Sequence, residues 1–159
     1  MIFDTRLWEK ASCSKRDRKK IVPVIRTIIR LSEKARREGL LAIEAELPEI
    51  EPRFVRDGIR LVVDGYDPDV VRDVLLTRIH ADGYSGRKLL ERMTAAEGIL
   101  CLQQGYAPFI LRVRLYAFLG EDYGAGDDEN AQSAPAAFPE PCIDLSLFER
   151  APADEACMG

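Results

Sequence analysis

Apolar residues recur at every third or fourth position over most of this chain, which is the spacing of one face of an α-helix. The longest such run covers residues 20–46 and closes at Pro48, because proline disfavours helical geometry at the residue before it. Its apolar positions are Ile21, Val24, Ile25, Ile28, Leu31, Ala35, Ala42, Ile43 and Leu47. The sequence contains no alternating apolar pattern bounded by hairpin turns. The pattern therefore predicts an all-α fold.

Helix start and stop signals divide the chain into about five helices, which begin near residues 20, 52, 68, 85 and 108. The clearest start is Asp67-Pro68-Asp69. The first carboxylate can accept amide hydrogens, proline supplies a helical φ angle, and the second acid meets the positive end of the helix dipole. Short loops favour antiparallel packing of neighbouring helices. We therefore predict a compact helical bundle over residues 20–120.

Charge is distributed unevenly between the two ends of the chain. Residues 1–120 carry 22 Lys and Arg against 17 Asp and Glu, whereas residues 121–159 carry one basic residue against ten acidic ones. The last 39 residues have no apolar period and are rich in acidic residues, Gly, Ala and Pro. This composition predicts an acidic disordered tail over residues 121–159. Residues 1–19 are predicted to form a separate, basic N-terminal segment. A short apolar island at 141–149 either docks on a partner or on the domain itself, or is incidental.

The sequence predicts neither a membrane span nor a catalytic or metal site. A spanning helix needs about 20 mostly apolar residues, and the best windows, 21–31 and 99–111, are short and interrupted by charged or polar residues. The four cysteines are far apart, and His80 is the only histidine. Cys101 lies on an apolar helix face, which predicts a buried thiol. No catalytic or metal-binding motif occurs, so we expect a cytoplasmic protein without a cofactor or a metal.

Two clusters of residues resemble the two cytoplasmic pieces of a MotA-type flagellar stator subunit, a member of the MotA/TolQ/ExbB proton-channel superfamily. The first cluster comprises residues 35–44 (ARREGLLAIE), 56–65 (RDGIRLVVDG) and Asp67-Pro68. The second comprises residues 97–100 (EGIL), Gln103, Gly105, Pro108, Leu115 and Phe118-Leu119. In the family, membrane-spanning helices separate these pieces, whereas here only residues 79–94 intervene. The resemblance implies a helical cytoplasmic domain without the channel, and so without proton conduction by this polypeptide alone.

The resemblance also implies a partner-binding surface. In stator subunits of this type, charged residues of the cytoplasmic domain face the rotor switch protein, and by position they correspond to Arg36 and Glu44. Lys34 and Arg37 are added as neighbouring candidates. If one helix continues through both positions, Arg36 and Glu44 lie about 12 Å apart along its axis and about 80° apart around it. The alternative is a solvated helix face with weak local ion pairs.

A basic run lies where a stator subunit would have left its second membrane-spanning helix. It could hold the domain against an anionic leaflet, since each basic residue near the surface contributes roughly 1 kcal/mol. The alternative is a solvated helix start, and nucleic acid would attract the same charges. The candidate membrane-surface residues are Lys15, Arg16, Arg18, Lys19 and Lys20.

The leading functional hypothesis is a non-enzymatic, channel-less MotA-like module of the flagellar motor. Its expected partners are rotor switch, stator or collar proteins. A peripheral contact at the cytoplasmic face of the inner membrane is a further expectation, and the sequence does not predict the oligomeric state. The alternative is a helical nucleic-acid-binding regulator. The start of the helix at residue 68 is too acidic and apolar to contact base edges, so we expect no nucleic-acid partner.

Overall fold

The computed structural model describes residues 3–120, and within that range the chain is helical with no β-strand. The prediction of an all-α fold is therefore confirmed, with two short helices before residue 20 that the sequence did not predict. The predicted tail at 121–159 lies outside the described residues. The elements are α1 (Thr5–Lys10), α2 (Lys15–Lys19), α3 (Val22–Glu38), a 3₁₀ segment (Leu40–Glu49), α4 (Arg53–Val63), α5 (Pro68–Asp82), α6 (Gly86–Gln103) and α7 (Pro108–Ala117).

Helix α6 forms the centre of the bundle and packs against α3, α4, α5 and α7. Every residue from Met93 to Leu102 is buried, so this part of α6 is enclosed on all sides. A helix surrounded by other helices must be apolar around its whole circumference. The two polar side chains in this stretch have partners: the Thr94 hydroxyl donates to the Leu90 carbonyl at 2.8 Å, and Glu97 accepts from Arg114.

The predicted continuous helix over residues 20–46 is wrong, because α3 ends at Glu38. Gly39 adopts a φ of 88°, a conformation that glycine reaches without steric cost, and its N–H still bonds to the Ala35 carbonyl at 2.9 Å. The chain then continues as the 3₁₀ segment. Pro48 lies inside this segment and does not end a helix. The apolar spacing on either side of Gly39 concealed this break.

The predicted start of α5 is confirmed. Asp67 is the N-cap residue, its Oδ1 accepts from the Asp69 N–H at 2.9 Å, and Pro68 is the first helical residue. Asp4 and Ser14 cap the two short helices in the same way, through bonds from the amides of Leu7 and Asp17.

The residues before α3 pack on the bundle. The Phe3 and Trp8 rings lie 6.2 and 5.1 Å from the ring of Phe118, measured between centroids. Arg18 extends this contact, because its Nη1 donates to the Leu119 carbonyl at 3.1 Å. Aromatic packing and one hydrogen bond thus join the N-terminal helices to the end of α7.

Two glycines allow close approaches between helices of the bundle. A Cβ atom on Gly58 of α4 would lie 2.6 Å from Cδ1 of Ile99 of α6. A Cβ atom on Gly98 of α6 would lie 2.9 Å from Cγ2 of Ile28 and 3.2 Å from Cδ1 of Leu115. Real Cβ atoms essentially never come within 3.0 Å of such neighbours, so at both positions only glycine fits without movement of the surrounding side chains. Gly58 and Gly98 belong to the two separate sequence clusters, which therefore meet in the core.

None of the helices in residues 3–120 is both long enough and apolar enough to cross a bilayer.

Candidate functional site

The charged surface predicted to bind a partner lies at the junction of α3 and the 3₁₀ segment. Arg36 and Arg37 are exposed on the last turn of α3, and Glu44 is exposed on the 3₁₀ segment. Because Gly39 ends α3 between them, the separation expected along one continuous helix does not apply to Arg36 and Glu44. Within residues 3–120, neither Arg37 nor Glu44 has an ion-pair partner. We call Arg36, Arg37 and Glu44 the junction surface.

The turn after α6 lies beside this surface. Nη1 of Arg36 donates to the Gly105 carbonyl at 3.5 Å, a long and exposed bond. On the same turn, Nε2 of Gln103 donates to the Tyr66 carbonyl at 2.6 Å. Gln103 and Gly105 come from the second sequence cluster, whereas Arg36 comes from the first. Both clusters therefore contribute to the neighbourhood of the junction surface.

Lys34, the fourth predicted partner-binding residue, belongs to an internal ion pair. Its Nζ lies 2.6 Å from Oε1 of Glu46, and Nη1 of Arg30 lies 2.5 Å from Oε2 of the same carboxylate. The two cations lie on α3 and the carboxylate on the 3₁₀ segment, so the three side chains hold these elements together. The hydrogen bonds from Lys34 and Arg30 lower the pKa of Glu46.

Arg30, Lys34 and Glu46, which we call the Glu46 cluster, should make stability depend on pH in the acid range. A carboxyl whose folded pKa is lowered stabilises the protein above its unfolded value of 4.5, and that contribution is lost as the pH falls through the folded pKa. We expect Glu46→Gln to cost about 0.5–1 kcal/mol at pH 7, because the pairs are partly exposed, and less near pH 3. Urea unfolding at both pH values measures the difference. An equal cost at both pH values would contradict this assignment.

The basic run is divided between structural and exposed roles. Arg18 bonds to the Leu119 carbonyl, and Nζ of Lys20 lies 2.8 Å from Oδ1 of Asp17. Lys15, Arg16 and Lys19 are exposed on α2. The structure therefore exposes four of the five candidate membrane-surface residues, namely Lys15, Arg16, Lys19 and Lys20, whereas Arg18 is half-buried and bonded to the end of the bundle.

The sequence does not predict the ion pair that joins buried Glu97 of α6 to partly exposed Arg114 of α7. Glu97 is 7% exposed, and its Oε1 accepts a short hydrogen bond from Nη2 of Arg114, whose side chain is 44% exposed. The pair borders a small cleft of about 100 Å³ between α5, α6 and α7. Glu97 belongs to the EGIL segment of the second cluster, and its place as a single carboxylate in an apolar stretch is the only sequence sign of its burial.

Cys101 lies one helical turn after Glu97 and is buried, as its apolar neighbours predict. Burial, with a further contribution from the charge of Glu97, raises the pKa of the thiol to about 12. The thiol is thus protonated at neutral pH and suited to packing rather than to nucleophilic chemistry. Within residues 3–120, no group of three His, Cys, Asp or Glu side chains is placed to hold a metal ion.

Comparison with known proteins finds proteins that are similar to part of this chain. The chain is 52% identical over 54 residues to Motility protein A of Borreliella burgdorferi, covering 34% of this chain and 21% of that protein. Part of this chain is homologous to Motility protein A. Motility protein A of Treponema phagedenis is 40% identical over 52 residues, covering 33% of this chain and 20% of that protein. For Motility protein A of Bacillus subtilis (strain 168), the identity is 32% over 74 residues, or 46% of this chain and 25% of that protein.

The resemblance to MotA-type proteins is therefore confirmed for part of the chain. The chain spans about a fifth to a quarter of the length of the Motility protein A relatives that it matches. No family model matches it.

Proposed function

We propose that this chain is a non-enzymatic, motor-associated interaction module that binds a charged component of the flagellar motor. The observation that carries the proposal is the 52% identity to Motility protein A of Borreliella burgdorferi. The sequence resemblance to MotA-type stator subunits supplies the expected partners, namely rotor switch, stator or collar proteins. The proposed location is the cytoplasmic face of the inner membrane near the motor.

The junction surface is the proposed contact. Arg36, Arg37 and Glu44 are charged and exposed, and they project from elements that the Glu46 cluster ties together. Side chains on a rigid base lose less conformational entropy when they bind, so such a surface favours recognition by a complementary charged partner. Lys34 contributes indirectly in this proposal, because its ion pair with Glu46 holds the 3₁₀ segment against α3.

Charge reversal at the junction surface should weaken partner binding. The double substitution Arg36→Glu with Glu44→Lys leaves the net charge unchanged. Each reversed side chain then faces a partner charge of its own sign and is repelled by it. We expect about a ten-fold loss of affinity at low salt and a smaller loss near 0.5 M salt, where the charges are screened. The measurement is a pull-down titration of the purified chain against rotor switch, stator and collar proteins.

The matched control for this experiment is Glu9→Lys with Lys10→Glu. Both residues are exposed on α1, outside the two sequence clusters, and the double reversal also preserves net charge. The control should bind as tightly as the unmodified chain. If the junction-surface variant also binds unchanged, Arg36 and Glu44 are not part of the contact.

A further inference from the structure

A positively charged cleft of about 260 Å³ lies at the start of α6, away from the junction surface residues. It is lined by Tyr84, Arg87, Lys88, Glu91 and Arg92. Three cations thus face a single carboxylate. That carboxylate already has a partner, because Nη1 of Arg87 lies 3.4 Å from Oε2 of Glu91. The lining keeps a positive charge excess that an anion can balance.

Arg92 is held in position by aromatic rings on two sides. Its guanidinium carbon lies 4.7 Å from the centre of the Phe54 ring and 5.7 Å from that of Tyr84. Its Nη1 is buried and has no hydrogen-bond acceptor within residues 3–120. A buried donor without an acceptor is costly, and an anionic oxygen is the strongest acceptor for a guanidinium. Nη1 of Arg92 is therefore a prearranged donor that lacks an acceptor among residues 3–120.

The helix start adds to the positive potential of the cleft. Helix α6 is 18 residues long, its first turn contains no acid, and the Ser85 side chain makes no capping bond. Amide groups and the helix dipole at such a start favour negative charge. Here they reinforce the cations of the cleft, which remain the main attraction.

Helix α2 packs against α6 and brings one acid, Asp17, towards Arg87. The Ser12 carbonyl lies 3.8 Å from the position that a Cβ atom on Gly86 would occupy. Asp17 is the nearby acid on α2, and its carboxylate accepts hydrogen bonds from Ser14 and Lys20, both at 2.8 Å. The acid closest to the cleft from this side therefore already has two partners.

We propose that this cleft binds a phosphate group. A tetrahedral oxyanion can accept from Arg87, Lys88 and Arg92 together, and its charge matches the excess of cations. The phosphate belongs either to a soluble phosphorylated molecule or to an anionic lipid headgroup, since the two offer the same chemistry. The proposal is independent of the motor function, because it requires no motor protein.

Inorganic phosphate is the first probe, titrated into the full ¹⁵N-labelled chain at low ionic strength. We expect saturable NMR shifts concentrated at residues 84–92. Lys88→Gln, at an exposed position where folding is not at risk, should weaken binding about five-fold. Arg92→Lys keeps the charge but loses the planar donor pair and should weaken it by a similar factor. Lys10→Gln on α1 is the control and should leave the affinity unchanged.

Vesicles distinguish the two sources of phosphate. If the headgroup is the ligand, the chain should bind phosphatidylcholine vesicles that contain about a third phosphatidylglycerol but not pure phosphatidylcholine, and Lys88→Gln should lower that binding. Saturable phosphate binding without this vesicle effect assigns the cleft to a soluble ligand. The proposal is overturned if phosphate shifts do not saturate, or if they spread equally over Lys10 and α2.

Discussion

Arg114→Leu is expected to lower the free energy of unfolding by about 2 kcal/mol at neutral pH. The substitution keeps an apolar stem against α6 but leaves the buried carboxylate of Glu97 without its cation. Removing one partner of a buried pair costs roughly 3–5 kcal/mol, and the lower value expected here reflects the access of water to Arg114. Chemical denaturation of the two proteins gives the difference.

Arg60→Leu is the matched control for this substitution. Nε of Arg60, on α4, lies 3.9 Å from Oδ2 of Asp64, the residue that follows this helix, and both side chains are exposed. Breaking an exposed pair of this kind should cost less than about 0.5 kcal/mol. Equal costs at Arg60 and Arg114 would show that the burial of Glu97 has no energetic weight.

Gly98→Val is expected to destabilise the protein by about 3 kcal/mol. Valine would bring three carbon atoms to a position where the first already lies 2.9 Å from Ile28 and 3.2 Å from Leu115. Overpacking a well-filled core costs roughly 1–3 kcal/mol, and the upper end applies because two helices face this residue. Glycine and valine are both weak helix formers, so helix propensity contributes little to the change.

Two further variants separate packing from helix propensity. Ala117→Val introduces the same side chain at an exposed position at the end of α7 and should cost less than about 1 kcal/mol. Ile28→Ala combined with Gly98→Val should be more stable than the sum of the single effects predicts, because the smaller residue makes room for valine. Strict additivity would exclude the close contact between α3 and α6 as the cause.

Local signals predicted the second half of the fold well. Asp67-Pro68 predicts the start of α5 and Pro108 that of α7, whereas Ser85 lies at the start of α6 without making a side-chain capping bond. These signals act through bonds and dihedral angles within a few residues, so a single sequence contains them. The apolar periodicity likewise predicted Cys101 as a buried residue, which the structure confirms.

Features that depend on contacts between helices were missed. The break at Gly39 interrupts a pattern whose apolar spacing continues on both sides, and the burial of Glu97 depends on Arg114, seventeen residues away. Lys34 and Arg37 are both basic residues near the end of α3, yet Lys34 pairs internally with Glu46. Sequence alone cannot separate two such residues, because the acid that selects one of them lies on another element.

Several residues of the two MotA-like clusters fall into two physical groups. Gly58, Gly98 and Glu97 bring the helices together in the core. Arg36 and Glu44 lie on the surface and contribute little to packing. A helical core with a charged junction surface is what an interaction module requires, and this division underlies the proposed motor function.

The most direct test of that function is motility of a strain from which the coding sequence has been deleted. We predict that the deletion slows or abolishes swimming and leaves growth unchanged. The unmodified chain should restore swimming, whereas the chain with Arg36→Glu and Glu44→Lys should not. A deletion strain that swims as fast as its parent would contradict the proposed role in the flagellar motor.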